Sequence, residues 1–337
     1  MADLVGLDRQ VAHLLVRAPG PDREAEAAVA GRARQVLRPS GALARLDELA
    51  AWLAAWQGTS RPAVRRPAAV VFAADHGVAA SGVSAYPPEV TAAMLKALRE
   101  GAATACVLAR QVGATLDVVD VGVGEPTGDL ARQAALDPAR FRACVQAGRD
   151  AVARLDTDLL VLGEMGIGNT TAAAAVTALL LGRPAEASTG RGTGVDDTGL
   201  ARKLAAVEAA RRRVGDGAAP LEVLRQAGGA ELAALAGAAL EARLRRLPLV
   251  LDGFVVTAAV TPLELLCPGA LANAVAGHRS AEPGHQALLE RLGKQPLLDL
   301  GMRLGEASGA LAAVPLLRLA AAAVTEVATF ADWGLAR

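Results

Sequence analysis

Short runs rich in apolar residues, without regular alternation of polar ones, are the feature that most constrains how this chain can fold. Such runs occupy residues 68–72, 115–121, 159–162 and 247–251, and stretches with helical spacing of apolar residues lie between them. Apolar runs in which polar residues do not alternate with apolar ones are typical of strands that are covered on both faces. Strands that alternate with helices form parallel sheets. The sequence therefore predicts an α/β fold with a parallel sheet flanked by helices on both faces.

The N-terminal segment has a different pattern. In residues 25–36 and 43–56 apolar residues recur at three- and four-residue intervals, and strand signals are absent. A basic, proline-bearing connector follows at 61–67. We therefore expect a small helical domain in residues 1–60 and a large α/β domain that begins at residue 61.

The charge balance argues against two classes of partner. The 337 residues include 35 Lys+Arg and 35 Asp+Glu, and aromatic residues make up only 2%. A neutral chain with few aromatic residues gives no support for a nucleic-acid partner or a membrane-surface partner. The mean hydropathy is positive, at +0.32, but charged residues and prolines interrupt the apolar runs near Val250 and Leu311, so we expect no membrane-spanning helix.

The sequence also shows no residue spacing that is typical of a metal site or of a disulfide framework. Cys106, Cys144 and Cys267 are far apart, and their spacing fits neither a disulfide framework nor a zinc site. His278 and His285 flank a glutamate in a polar loop, but their spacing fits no helical ligand pair, so we expect hydrogen-bonded structural histidines. We predict no metal, no cofactor and, since the N-terminus has no signal-peptide pattern, a reduced cytoplasmic location.

The stretch 159–171, LLVLGEMGIGNTT, carries the clearest functional signal. An apolar strand leads through glycines into an alanine-rich helical run. A glycine-rich turn at a helix N-terminus can bind an anion, because free N–H groups and the helix dipole point at it. The alternative is an ordinary strand-to-helix turn. No Gly-Lys-Ser/Thr follows, so this is not a P-loop. The predicted binding residues in this turn are Gly166, Gly168, Asn169 and Thr170.

Other loops should meet this turn. The predicted strands end in Asp75, Gly122, Glu164 and Asp252, and ligands of parallel sheets bind at the carboxyl ends of the strands. The loop 189–197 places glycines 190, 192 and 194 around one arginine, which suits a loop that wraps a ligand, although a flexible surface turn has the same composition. A dinucleotide fingerprint at 122–126 is not supported, since its third glycine is misplaced.

An ordered set of motifs resembles the nicotinate-nucleotide–dimethylbenzimidazole phosphoribosyltransferase family. The set spans nearly the whole chain, and one departure is Ala44, where the family pattern leads us to expect glycine. The motifs are PSGALARL at 39–46, ADHGV at 74–78, YP and VT within 86–91, DVGV at 120–123, GEMGIGNTT at 163–171, GRGTGVDD at 190–197, LDGFVVTAA at 251–259, HRSAEPGH at 278–285, RLGEASGA at 303–310 and EVATF at 326–330.

The resemblance implies a reaction and an architecture. The family transfers phosphoribose from nicotinate mononucleotide to dimethylbenzimidazole, giving α-ribazole 5′-phosphate and nicotinate, without a divalent metal. It also implies a Rossmann-like large catalytic domain, here residues 61–304, and a small helical domain built from residues 1–60 with a contribution from 305–337. A homodimer is implied as well.

The resemblance also implies roles for single residues. Glu306, in the RLGE motif, matches the proposed general base, and Glu164 matches a second glutamate of the site. Lys203 would supply charge to the phosphate turn. Gly190, Gly192 and Gly194 would lie against nicotinate or ribose, Ser280 would meet the pyridine carboxylate, Tyr86 and Met94 would line the acceptor pocket, and Asp252 completes the predicted substrate-binding residues.

Two other interpretations stay open from sequence. A relative could use another acceptor, such as adenine, a phenol or a different benzimidazole, and Tyr86 and Met94 would set that choice. The chain could instead be a non-catalytic nucleotide-binding sensor. Glu306 and Glu164 argue against a sensor, because binding alone needs neither carboxylate.

Overall fold

A computed structural model describes residues 2–335 of the chain. Its centre is a five-stranded sheet in which every neighbouring pair is parallel, with the order β2-β1-β3-β4-β5. The predicted α/β fold with a parallel sheet is therefore confirmed. The strands are β1 (Pro67–Ala73), β2 (Thr115–Asp120), β3 (Leu159–Met165), β4 (Leu249–Leu251) and β5 (Ala274–Ala276).

Helices cover both faces of this sheet. They are α1 (Ala2–Arg17), α2 (Arg23–Ala33), α3 (Arg45–Gln57), α4 (Val90–Arg99), α5 (Thr104–Gln111), α6 (Pro138–Ala153), α7 (Asn169–Leu181), α8 (Asp197–Val214), α9 (Pro220–Ala227), α10 (Ala230–Leu244), α11 (Phe254–Leu266), α12 (Pro283–Arg291) and α13 (Ser308–Thr325).

Successive strand residues enter two different hydrophobic cores. In β1, Val70 and Phe72 belong to the core beneath α6, α7, α10 and α11. Ala69 and Val71 belong to the core beneath α2, α3, α5 and α13. Both faces of the strand are buried, which is why its sequence shows no alternation.

The terminal segments divide between these two faces. α2, α3 and α13 pack together on one face, while α1 packs against α9, α10 and α11 on the other. The division into a helical domain of residues 1–60 with 305–337 and a catalytic domain of 61–304 stays a prediction. α3 begins after Ala44, whose φ of 37° lies in the left-handed region. Glycine adopts this conformation without strain, which gives a physical reason for the glycine of the family pattern at this position.

Two predicted helices differ from the structure. The apolar spacing in residues 221–244 predicts one helix, but the structure has two, α9 and α10, separated by Gly228 and Gly229. A Cβ atom added to Gly229 would lie 2.3 Å from a carbon of the His76 ring, so only glycine allows the chain to turn so close to β1. The sequence also predicts a helix over 255–266 that breaks at Pro262, but α11 continues through this proline. Burial of α11 outweighs the helical hydrogen bond that proline cannot donate.

Two short elements were missed by the sequence prediction. β5 is only three residues long, and its sequence, AVA, resembles the alanine-rich helices of this chain. α12 begins inside the polar segment 278–285, for which the sequence predicts a loop, with Pro283 at its first turn. Proline suits that position because its missing N–H would have no helical partner there.

One helix in the described part of the chain, α13, is long and apolar enough to cross a membrane, and 56% of it is buried inside the protein. Leu311, Val314 and Leu317 have no exposed surface and pack in the core beneath α3 and α5. α13 is therefore a core helix of this fold.

The contact between α6 and α10 generates a stability prediction. A Cβ atom added to Gly237 would lie 2.0 Å from the Val145 carbonyl oxygen, so Gly237→Ala must push the two helices apart. We expect a loss of at least the ~1–3 kcal/mol that overpacking costs, measured as a lower Tm. Gly31→Ala is the control, because the nearest atom to its added Cβ is 3.9 Å away and alanine favours a helix. An equal Tm for both variants would contradict the packing argument.

Candidate active site

A cleft opens at the carboxyl ends of the central strands. β1 lies between β2 and β3, so the connections leaving these strands run in opposite directions and leave a crevice, the usual position for ligands in such sheets. A cavity of about 730 Å³ occupies this position. Its walls come from the turn after β3, from loops 82–88 and 190–194, and from the segment before α13.

The cavity brings together most of the predicted site residues. Those that line it are Tyr86, Met94, Glu164, Gly166, Asn169, Thr170, Gly192, Ser280 and Glu306. The other predicted residues lie outside the lining: Gly168, Gly190, Gly194, Lys203 and Asp252.

The turn after β3 is already partly occupied by its own hydrogen bonds. Gly168, with φ of 98°, caps the N-terminus of α7. The Asn169 side-chain amide donates to Glu164 Oε2, and its backbone N–H donates to the Gly166 carbonyl at 3.1 Å. Asn169 therefore orients Glu164 in this structure, and its backbone N–H and one of its two side-chain N–H groups are already paired.

Glu164 lies at the buried end of β3. It is 6% exposed. Burial raises the pKa of Glu164 well above its ordinary value, and the nearby Asp252 and Glu231 raise it further, while the Asn169 hydrogen bond opposes them. A carboxyl group in this environment favours its protonated form.

Glu306 occupies a strained corner before α13. Its φ is 57° and that of Ala307 is 62°, both in the left-handed region. Such strain persists where the surrounding structure enforces it, commonly at functional sites. The Glu306 N–H donates to the Glu164 carbonyl at 3.1 Å. The sequence predicts Glu306 at a helix start, and the helix begins two residues later, at Ser308.

One oxygen of the Glu306 carboxyl group is buried without a partner. The residue lines the cavity, and its buried Oε2 has no hydrogen-bond partner among the described residues. Burial raises the pKa of Glu306, and the backbone N–H of Ala105 opposes that rise. Glu306 is thus a cavity-lining carboxyl group with raised basicity.

Lys203 lies beneath the cavity floor. It is 1% exposed, and its Nζ donates to Thr170 Oγ1 at 2.9 Å. Burial lowers the pKa of Lys203 to about 8, and Glu282 opposes that shift. A Cβ atom added to Gly192, whose φ is 53°, would lie 2.6 Å from Lys203 Nζ. Glycine at 192 therefore lets the loop 190–194 close over the lysine.

Glu282 and Arg303 are site residues that our sequence reasoning did not select. Glu282 is 7% exposed and accepts the Gly192 N–H at 3.0 Å, while Arg303 donates to the Gly192 carbonyl. Their signal was their position inside the HRSAEPGH and RLGEASGA motifs. A Cβ atom added to Gly190 would lie 2.3 Å from Glu282 Oε2, so this glycine makes room for Glu282.

Asp252 is buried next to the site and holds the first turn of α13. It has no exposed surface, and its Oδ1 accepts the Ala310 N–H at 2.9 Å in the first turn of α13. Burial raises the pKa of Asp252 to about 7, although backbone N–H groups around α13 oppose the shift. The structure thus places Asp252 at the helix that follows Glu306 and outside the cavity lining.

The two histidines of the segment 278–285 are buried. His285 has no exposed surface, accepts the Ser280 N–H at 2.8 Å and lies 3.0 Å from the Thr257 hydroxyl. Burial lowers the pKa of His285 to about 3, so the ring is neutral at physiological pH. Across residues 2–335, no group of three or more His, Cys, Asp or Glu side chains could hold a metal ion.

Comparison with known proteins gives a consistent result. Residues 18–335 match the phosphoribosyltransferase family model DBI_PRT. The chain is 51% identical over 330 residues to nicotinate-nucleotide–dimethylbenzimidazole phosphoribosyltransferase of Mesorhizobium japonicum, covering 98% of each chain. It is 48% identical over 319 residues to the enzyme of the same name from Cereibacter sphaeroides, covering 94% of each. The crystal structure of the Thermus thermophilus enzyme matches with a TM-score of 0.88 at 44% identity, over 94% of this chain and 99% of that chain.

Proposed function

Since the chain belongs to the nicotinate-nucleotide–dimethylbenzimidazole phosphoribosyltransferase family, we propose how the residues of its cleft divide the work of that reaction. The enzyme transfers phosphoribose from nicotinate mononucleotide to dimethylbenzimidazole in cobalamin biosynthesis, giving α-ribazole 5′-phosphate and nicotinate. The observation that carries the assignment of roles is the different environment of two buried glutamates: Glu164 accepts from Asn169 and has Asp252 and Glu231 nearby, and its pKa is raised well above the ordinary value, whereas burial is the one cause that raises the pKa of Glu306.

The chemistry requires one base and no strong acid. The bond between ribose C1′ and the pyridinium nitrogen breaks, its electron pair neutralises that nitrogen, and nicotinate leaves. One benzimidazole nitrogen forms the new bond to C1′, while the other nitrogen loses a proton. A single positioned carboxylate that accepts this proton accounts for general base catalysis.

Glu306 fits the role of base better than Glu164. Glu164 is bonded to Asn169, and burial together with two neighbouring acidic residues raises its pKa well above the ordinary value. Glu164 therefore retains its proton more readily, which leaves Glu306 as the ionised group. We assign proton transfer to Glu306 and orientation of the Glu306 segment to Glu164, through the Glu164 carbonyl.

The donor phosphate is placed at the turn after β3. Thr170 and Gly166 line this end of the cavity, and Lys203 supports the Thr170 hydroxyl from below. A positive charge beneath a glycine-rich turn favours a phosphate. Gly192 would then lie against the ribose or nicotinate, and Ser280 against the pyridine carboxylate. Gly168, Gly190, Gly194 and Asp252 shape these surfaces from outside the lining.

The acceptor is placed at the apolar end of the cavity. Tyr86, Val90, Met94 and Leu304 line it there. A wall of this composition suits a flat, methylated aromatic base.

We also propose that the protein is a cytoplasmic homodimer. The resemblance to the family is the basis of the homodimer.

Incubation with nicotinate mononucleotide and dimethylbenzimidazole in the presence of a strong chelator tests the reaction directly. We expect α-ribazole 5′-phosphate by mass spectrometry at an undiminished rate, because the residues of the cavity supply the base and the phosphate contacts without a metal. Parallel reactions with adenine and phenol test acceptor choice. A rate that vanishes in chelator and returns with magnesium would show the metal-free proposal to be wrong.

Replacement of Glu306 tests the base. Glu306→Gln should lower kcat by about 10²–10⁴ with little change in donor affinity, because the proton moves only in the transition state. Since burial raises the pKa of Glu306, wild-type activity should fall as pH decreases through a value above 4.5, the usual value for glutamate. Glu164→Gln should have a smaller effect. A near-normal single-turnover rate for Glu306→Gln, with a loss for Glu164→Gln, would reverse the two roles.

Titration of Lys203 tests the phosphate site. Because burial lowers the pKa of Lys203 to about 8, its charge is present below that pH and is lost above it. The donor kcat/KM should therefore fall as pH rises through about 8. Lys203→Met should remove this pH dependence and weaken donor binding by roughly 1.5–3 kcal/mol.

Lys294→Met is the matched control for that experiment. Burial also lowers the pKa of Lys294 to about 8, but its Nζ donates to the carbonyls of Leu271 and Ala274, outside the cavity lining. In this variant the donor kcat/KM should still fall as pH rises through about 8. If the donor kcat/KM of Lys203→Met also falls above this pH, Lys203 is not the group that causes the fall.

A further inference from the structure

The dipeptide Gly192–Thr193 contacts all three parts of the cleft. Gly192 lies over the Lys203–Thr170 pair, at the donor end. Its carbonyl accepts from Arg303, which lies three residues before Glu306. Thr193 bonds to the loop 82–88, at the acceptor end. One short segment therefore joins the donor floor, the segment of the base and the acceptor wall.

The Thr193 hydroxyl is the link to the acceptor wall. Its Oγ1 accepts the Ala85 N–H at 2.9 Å and lies 3.1 Å from the Ser84 hydroxyl. The Ser84 hydroxyl in turn accepts the Tyr86 N–H at 3.1 Å. The position of the Tyr86 backbone thus depends on Thr193 through a chain of two hydroxyl groups.

The loop 82–88 needs such a link at its tip. Its beginning is held by Arg202, whose Nε donates to the Gly82 carbonyl at 2.8 Å. Its tip, by contrast, carries Tyr86, whose side chain is 55% exposed. An exposed loop tip with few buried contacts is expected to move unless hydrogen bonds hold it.

The other side of the dipeptide is rigid. The Gly192 N–H donates to the buried Glu282 carboxylate at 3.0 Å, and Arg303 binds its carbonyl. Both peptide groups of Gly192 are therefore fixed to the walls that carry the donor and the base. Thr193 extends this fixed frame to the loop on the opposite wall.

We propose that Thr193 is a positioning residue that holds the Tyr86 loop over the acceptor site and makes its order depend on the donor site. The proposal rests on the function assigned above. A donor seated against Gly192 stabilises the dipeptide, and the loop that depends on Thr193 becomes ordered with it. Acceptor binding should then be favoured once the donor is bound, since less ordering remains to be done.

Removal of the hydroxyl with little change in shape tests this proposal. Thr193→Val should raise the acceptor KM about 5–30-fold, the range for one or two lost hydrogen bonds, while the donor Kd from calorimetry should not rise, because donor binding no longer has to order the loop. Thr193→Ser restores the hydroxyl and should restore the acceptor KM. Ser84→Ala should have a smaller effect, and the double variant Thr193→Val/Ser84→Ala should be less than additive, since both act through one hydroxyl chain.

Thr157→Val is the matched control. Its hydroxyl bonds to the carbonyls of Arg66 and Leu159 at the amino end of the sheet, away from the cleft, so the acceptor KM should not change. An unchanged acceptor KM in Thr193→Val, beside an active wild type, would overturn the role of Thr193 alone. A rise in donor Kd equal to the rise in acceptor KM would also overturn it, because it would show general damage. Absence of product from the wild type with every acceptor would overturn the proposed function as well.

Discussion

The contact between β3 and the corner before α13 is the constraint on which the rest of the site depends. The Glu306 N–H meets the Glu164 carbonyl at 3.1 Å, and a Cβ atom added to Gly163 would lie 2.3 Å from the Ala307 nitrogen. A strand and a helix start can approach this closely only with glycine in the strand. The left-handed conformations of Glu306 and Ala307 follow from the same approach. The contact fixes both carboxylates at one end of the sheet.

Burial shifts the pKa values of the acidic and basic groups around the cleft in opposite directions. Glu164, Asp252 and Glu306 share the end beneath α13, and burial raises the pKa of each of them. Lys203 lies beneath Thr170, and burial lowers its pKa to about 8. The same cause, loss of water, favours a proton on the acids and its loss from the base.

The parts of the structure that could be predicted from sequence are those set by local patterns. β1 and β3 could be predicted from sequence because both of their faces are buried and each carries an unbroken run of apolar residues. β5 could not be predicted, because it is only three residues long. The turn after β3 could be predicted because several glycines stand directly before a stretch with helical pattern. Glu282, Arg303 and Thr193 were not selected, because their partners lie roughly 90–110 positions away in the chain. A ligand contact of Gly190 stays a prediction, and the structure adds that a Cβ atom there would meet the Glu282 carboxylate.

The distance along the chain between the two carboxylates has a consequence during synthesis. Domains tend to form as the ribosome delivers them, N-terminal parts first. A nascent chain that ends before Arg303 contains the sequence of every strand of the sheet and of the glycine-rich turn after β3. It has neither Glu306 nor α13, whose apolar side chains fill the core on one face of the sheet. The proposed base and the last part of that core are therefore delivered together, so the cleft is completed only with the final long helix.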